Sequence, residues 1–106
     1  MARKSERVDV YRAIAHETRR AILDRLRAGP ARAGDLGSGF SESRPAISKH
    51  LRVLRESGVV REERLGRERF YSLNPAPLHQ VAGWIEGYRS FWASSLARLK
   101  RHVEGK

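Results

Sequence analysis

The sequence predicts a mostly α-helical domain that carries one small β-hairpin. Three observations lead there. Apolar residues recur at helical spacing through most of the chain. That spacing shortens towards two in a single stretch, VVREERLGRERFYSL, from Val59 to Leu73. The whole is 106 residues long, the size of one domain.

Residues 1–7 are polar and basic and read as a loose arm. In VDVYRAIAHETRRAILDRLRAG, Val10, Ile14 and Ala15 form one apolar stripe, and Ile22, Leu23 and Leu26 form another. His16, Glu17 and Thr18 interrupt them, and Glu17 suits a first helical turn. This predicts two helices with a tight joint, the second ending near Gly29-Pro30. A short helix follows over residues 33–39, anchored by Leu36 and Phe40. Gly34, Gly37 and Gly39 each weaken it by roughly 1 kcal/mol relative to Ala, so it leans on tertiary packing.

SRPAISKHLRVLRESG then begins at Ser43. Ser43 can cap the helix by accepting from a free backbone N–H. Pro45 falls in the first turn, where its missing N–H costs nothing, and Gly58 ends the run. At one hundred degrees per residue, Ile47, Leu51 and Leu54 fall together, with Ala46, Val53 and His50 at the margin. Pro45, Ser48, Lys49, Arg52 and Arg55 fall opposite, with Arg44 at the edge. Two strands follow around Leu65-Gly66-Arg67, placing Arg64, Arg67 and Arg69 near the hairpin tip and Val60, Phe70 and Leu73 towards the core. From residue 77 to 103 the spacing predicts one long helix. Val81, Trp84, Ile85, Tyr88, Phe91, Trp92, Leu96, Leu99 and Val103 lie on a single arc of it.

Composition narrows the function. Lys and Arg total 22 against 12 Asp and Glu, a formal charge of +10, which favours nucleic acid as a partner over an acidic protein or membrane surface. There is no cysteine, which excludes disulfides, thiolate metal sites and thiol nucleophiles. No apolar run approaches membrane-spanning length, and MARKSERVDV lacks the apolar segment of an export signal, so the expected location is the cytoplasm. No nucleophile elbow, phosphate loop or metal-hydrolase motif is present, so no enzyme activity or cofactor is expected.

The order of elements is that of a helix-turn-helix (31–58) followed by a wing (59–73). A helix fits the major groove of B-DNA, the helix before it braces on the backbone, and amides at its start can meet a phosphate. In AIAHETRRAILDRLRAGP, SRPAISKHLRVLRESGVVREERLGRERFYSL and WIEGYRSFW, the chain resembles the ArsR family of winged-helix bacterial transcription regulators, in the branch without the cysteine metal box. The resemblance spans about residues 8 to 103. It implies a homodimeric repressor of a palindromic operator on double-stranded DNA. On the matching positions it implies a recognition helix from Ser43 to Ser57, with DNA contacts from Ser43, Arg44, Pro45, Ser48, Lys49, His50 and Arg52. For the wing, it implies contacts from Arg64, Arg67 and Arg69. It also implies a dimer seam on the first and last helices, at Val10, Ile14, Trp84, Tyr88, Phe91, Trp92, Leu96 and Leu99.

The chain departs from the family pattern at His16-Glu17, where Asp-Pro is usual. It departs again at Arg32, where a capping Thr or Ser is usual, and in the glycines between Leu36 and Phe40. The bland reading of His50 is a core-flank histidine, and that of the wing arginines is cross-strand ion pairing. Two alternatives stand beside the DNA reading. One is a protein-interaction module using the aromatic helix. The other is a metal-responsive regulator using histidines and carboxylates. His79 and His102 lie about 34 Å apart along one helix, so one chain cannot join them, and no metal ligand set is assigned. A small-molecule effector would be lined first by Tyr88 and Trp92.

Overall fold

A computed structural model describes residues 9–105; the expected basic arm lies outside them. The element order is α1 (Val10–Ala13), α2 (Glu17–Leu26), β1 (Ala31–Arg32), α3 (Ala33–Gly37), α4 (Arg44–Glu56), β2 (Val60–Leu65), β3 (Glu68–Leu73), α5 (Leu78–Glu86) and α6 (Arg89–Glu104). This is a helical fold with a small hairpin wing, as the sequence predicts.

Each start and stop has a local cause. Asp9 caps α1, its carboxylate accepting from the Arg12 N–H at 2.9 Å. His16 caps α2 in an unusual way: its Nδ1 accepts from the Thr18 N–H at 3.0 Å. The Ser43 hydroxyl caps α4 by accepting from the Ala46 N–H at 3.3 Å, and Pro45 sits in the first turn. Gly58 ends α4 with a φ of +84°, a left-handed conformation that costs a side-chain-bearing residue energy. Asn74 secures this corner. Its N–H donates to the Val59 carbonyl and its side chain to the Gly58 carbonyl, both at 2.8 Å.

The core lies between α2, α3, α4 and the sheet. Ile22, Leu26, Leu36, Leu51, Leu54 and Val60 are almost wholly withdrawn from water. Each contributes roughly 1.5–3 kcal/mol by burial. The strands pair antiparallel in the order β1-β3-β2. β1 is an addition to the sequence reading; two residues long, it exists because Ala31 and Arg32 register with Tyr71 and Phe70. Arg32, which leaves α3 without a side-chain cap, instead bridges Asp35 at 3.2 Å and Glu68 at 3.0 Å and so ties α3 to β3.

The expected single helix over residues 77–103 is divided. α5 ends at Glu86 and α6 begins at Arg89. At the joint, the N–H groups of Gly87 and Tyr88 donate back three residues, to Trp84 and Ile85, which tightens the last turn of α5. Gly87 itself keeps helical angles, with φ −63° and ψ −19°, and the departure falls at Tyr88, with φ −101° and ψ −4°. Beyond it, every residue of α6 is exposed. The radius of gyration is 18.3 Å, against about 13 Å for a compact domain of this length, so α6 stands off the body.

A Cβ at Gly58 would meet Pro77 only at an ordinary 3.7 Å, so the backbone angle alone sets the cost of substitution. Gly58→Ala is expected to lower stability by about 1–2 kcal/mol in urea denaturation, with Gly58→Asn lowering it less. Equal losses for the two would contradict a φ-based cost.

Candidate nucleic-acid interface

α4 has one face in the core and one in water. Ile47, Leu51 and Leu54 are buried, while Ser43, Arg44, Pro45, Ser48, Lys49 and Arg52 are exposed. Among the described residues, Arg44 and Lys49 form no ion pair. Arg52 meets Glu56 at 3.6 Å, one helical turn on, in a water-exposed contact of little energy. Arg55 turns away: its guanidinium donates to both carboxylate oxygens of Glu62 at 3.2 Å. The cations of α4 are therefore sorted into free ones at the start of the helix and paired ones at its end.

A cleft of about 410 Å³ separates α3 from α4, lined by Gly34, Gly37, Ser38, Glu42, Arg44, Ile47 and Ser48 among others. Its walls are the step of the helix-turn-helix, and Tyr88 and Trp92 take no part in it.

The wing arginines also divide. Glu62 is the hub of the hairpin's base. It lies 3.7 Å from Arg69 and accepts from Arg55 and from the Tyr71 hydroxyl, the last at 3.0 Å. Burial first, then the Glu62 bond, raises the Tyr71 pKa above its ordinary value. Nearer the tip, Arg64 stands directly opposite Arg69 in the register. Arg64 and Arg67 have no carboxylate partner among the described residues. The bland reading of cross-strand pairing thus applies to Arg69 and not to Arg64 or Arg67.

Two expected site residues sit elsewhere. His50 is only 7% exposed and is not on the outer face. Its Nε2 lies 2.7 Å from Glu42 Oε2 and its Nδ1 3.2 Å from Arg19 Nη1. Arg19 also donates to the carbonyls of Ala13 at 2.8 Å and Arg12 at 3.1 Å. His50 therefore ties α4 to the start of α2 and the end of α1, since its ring is the one large polar group on the packed face of α4. Val10, expected at the dimer seam, is 2% exposed and closed inside its own chain. Ile14 is half-buried against the core.

The remaining seam residues are all open. Trp84, Tyr88, Phe91, Trp92, Leu96 and Leu99 are each about half exposed or more, Phe91 at 66%. Trp84, Tyr88 and Phe91 stack in series, and Trp84 meets Tyr11 of α1 edge-on at 6.2 Å. The Tyr11 hydroxyl donates to the Gln80 carbonyl at 3.1 Å. α1 and α5 thus meet at Tyr11 and Trp84, beside the row of exposed apolar side chains that continues along α6.

One site escaped the sequence reading. His16, Glu42 and His50 converge, the two rings 4.3 Å apart, although they stand up to 34 positions apart in the chain. The weak signals were His16 at a helix boundary and His50 at the margin of the packed face of α4; nothing local joins them to Glu42.

A helix-turn-helix with a free cationic face and a basic hairpin defines a winged-helix DNA-binding protein. The comparisons with known proteins agree. Residues 14–63 match a family described as a helix-turn-helix domain. The transcriptional repressor SdpR of Bacillus subtilis (strain 168) is 40% identical over 77 residues, covering 73% of this chain and 86% of that protein. The HTH-type transcriptional regulator Rv2034 of Mycobacterium tuberculosis (strain ATCC 25618 / H37Rv) is 37% identical over 96 residues, covering 91% and 87%. The solved structure of an ArsR-like transcriptional regulator from Rhodococcus sp. RHA1 superposes with a TM-score of 0.65 at 35% identity, covering 87% of each chain. The chain belongs to the ArsR family of winged-helix transcriptional regulators, in the branch without the cysteine metal box. It is a sequence-specific regulator that binds double-stranded DNA as a homodimer, in a family that is not catalytic. Among the described residues, no helix is long and apolar enough to cross a membrane.

Glu42 offers a pH test of the polar cluster. The Thr18 hydroxyl, and then His50, hold its carboxyl below the ordinary carboxylate pKa. A depressed carboxylate gives the fold stability that is present in full above the ordinary pKa and is lost as pH falls through the lower folded value. Thr18→Val removes the largest cause. The Glu42 titration, followed by its carboxyl NMR shift, is expected to move up towards the ordinary value; an unmoved titration would contradict the assignment.

Proposed function

We propose that the protein is a cytoplasmic repressor that occupies a palindromic operator. The observation that carries this is the exposed start of α4, where Arg44, Ser48 and Lys49 stand free of carboxylates on a helix whose opposite face is locked in the core. Residues 31–58 serve as the helix-turn-helix, 59–73 as the wing, and 77–103 as the dimerisation segment. Arg44 and Lys49 read base edges, the natural partners being guanine O6 and N7. Ser43, Ser48 and the exposed ring of Pro45 set the register against backbone and base, and Arg52 clamps a phosphate. Arg64 and Arg67 reach sugar-phosphate or the minor groove, with Arg69 a lesser contact because Glu62 shares its charge. The seam runs through Trp84, Tyr88, Phe91, Trp92, Leu96 and Leu99, with Ile14 at its edge. The two α4 helices then enter successive major grooves about 34–36 Å apart. Repression follows from occupancy, and the similarity to a protein named as a transcriptional repressor supports it over activation.

The test is selection of bound duplexes from a random pool, followed by affinity measurements across a salt series. Arg44→Ala and Lys49→Ala are each expected to cost about 1–3 kcal/mol of specific binding and to relax preference at one or two base pairs. If both keep full discrimination, the reading residues are wrong. Arg67→Ala is expected to weaken all duplexes alike and to reduce the salt slope by about 0.9.

The seam has its own measurement. Trp84→Ala is expected to shift the protein from dimer towards monomer in sedimentation and to lower its thermal stability. A variant that sediments as an unchanged dimer would remove Trp84 from the interface.

A further inference from the structure

The DNA-binding reading leaves one polar cluster without a task. His16 comes from the joint between α1 and α2, Glu42 from the loop before α4, and His50 from the middle of α4. Each nevertheless places one ligand-capable atom within 4.8 Å of the other two. Two imidazoles and a carboxylate are the donor set of zinc and neighbouring first-row dications, whereas calcium and magnesium take oxygen ligands. At bond lengths of about 2.0–2.2 Å, tetrahedral ligands lie roughly 3.4 Å apart, so the widest pair here closes by no more than about 1.4 Å.

We propose that His16, Glu42 and His50 form a site for a divalent transition-metal ion, with zinc the natural probe, away from the face that reads DNA. His16 is exposed and gives the ion an entry, while buried His50 forms the floor. Glu42 is already oriented: Thr18 holds its Oε1, which leaves Oε2 directed at the His50 ring. A hydrogen bond from outside the ligand set that fixes a ligand's orientation is the usual support of a metal centre. The fourth position is left for water.

The proton balance sets what ligation changes. A neutral imidazole has one nitrogen with a free lone pair. In the present arrangement His50 Nδ1 accepts from Arg19, so Nε2 carries the proton and donates to Glu42. A metal on Nε2 requires the other tautomer, in which that single proton has moved to Nδ1, where it faces the Arg19 donor. Arg19 Nη1 must then withdraw, although its other groups still hold the Ala13 and Arg12 carbonyls. His16 likewise cannot cap α2 through Nδ1 and ligate at once, because both uses take its single lone pair. Each hydrogen bond given up is individually weak in net terms, and metal–imidazole bonds are much stronger. The Arg19 charge opposes the ion and the Glu42 carboxylate offsets it, so only a tightly ligating ion suits the site. Of the bonds surrendered, that between Arg19 and His50 is a tie from α4 to α2, and that between His16 and Thr18 is the cap of α2. Occupancy therefore acts on the same body that positions the recognition helix.

The experiment titrates tag-free, chelator-treated protein with Zn(II) against a chromogenic zinc chelator. It compares the wild type, His16→Asn and a His79→Asn/His102→Asn double variant. Asn remains a good helix cap, so His16→Asn is expected to fold, which circular dichroism checks. One ion per chain is expected, at least tenfold weaker in His16→Asn and unchanged in the double variant. X-ray absorption of the zinc-loaded protein is expected to show two imidazoles and one carboxylate at about 2.0–2.2 Å. Equal affinity in the wild type and His16→Asn, loss of binding in the double variant, or a shell with fewer than two imidazoles would each overturn the site. No DNA enters these measurements, so their outcome is separate from that of the operator assays.

Discussion

Burial of Ile47, Leu51 and Leu54 fixes the rotation of α4 about its own axis, and the rest of the structure depends on that. Each residue along a helix turns by about one hundred degrees, so a register error of one position would carry Arg44 and Lys49 off the outer face. The Ser43 cap and Gly58 stop set where the helix begins and ends. The buried triad sets which way it faces. His50 adds a polar lock on the same side, joined through Glu42 and Arg19 to α2 and α1. Arg44, Ser48 and Lys49 on the outer face are then left free for chemistry, because none of the three holds the helix to the body.

The second constraint is size. A chain of this length buries only about two-thirds of the surface its unfolded form exposes, so its core is small. Here the deficit is visible: α6 contributes nothing to that core and carries a row of open apolar side chains. In the proposed dimer, whose seam runs along this row, that surface is where the missing burial is found. Folding and association then share one energy source, and the DNA-reading geometry inherits its spacing from the same contact.

What could be read from the sequence was local. Ser43, Pro45 and Gly58 mark the ends of α4 by their own backbone chemistry, and Gly66 marks the hairpin turn. The apolar period separates Ile47 from Lys49 without knowledge of any other element. What could not be read was set by distant partners. β1 exists only because β3 accepts it, and Tyr71 is buried only because that sheet closes over it. The break at Gly87 was hidden because the apolar arc runs on through it. The resemblance to the family places Val10 at a dimer seam, and the four residues of α1 are too few for their period to show that it faces its own core. Arg55 and Arg64 look alike in the chain, and only the position of Glu62 separates them. The His16–Glu42–His50 cluster is the extreme case, since its members belong to different elements.

The facing of Arg64 and Arg69 across the hairpin has one more consequence. Like charges directly opposite each other destabilise a strand pair. Glu62 relieves Arg69 only in part, from the base side. The free protein thus holds a small electrostatic strain at the end of its wing, maintained by the hydrogen bonds of the ladder. A phosphate between the two guanidinium groups would turn that repulsion into attraction. Under the proposed wing contact, the hairpin would be stiffer and more stable on DNA than off it, so the protein's own cohesion would rise at the moment of contact.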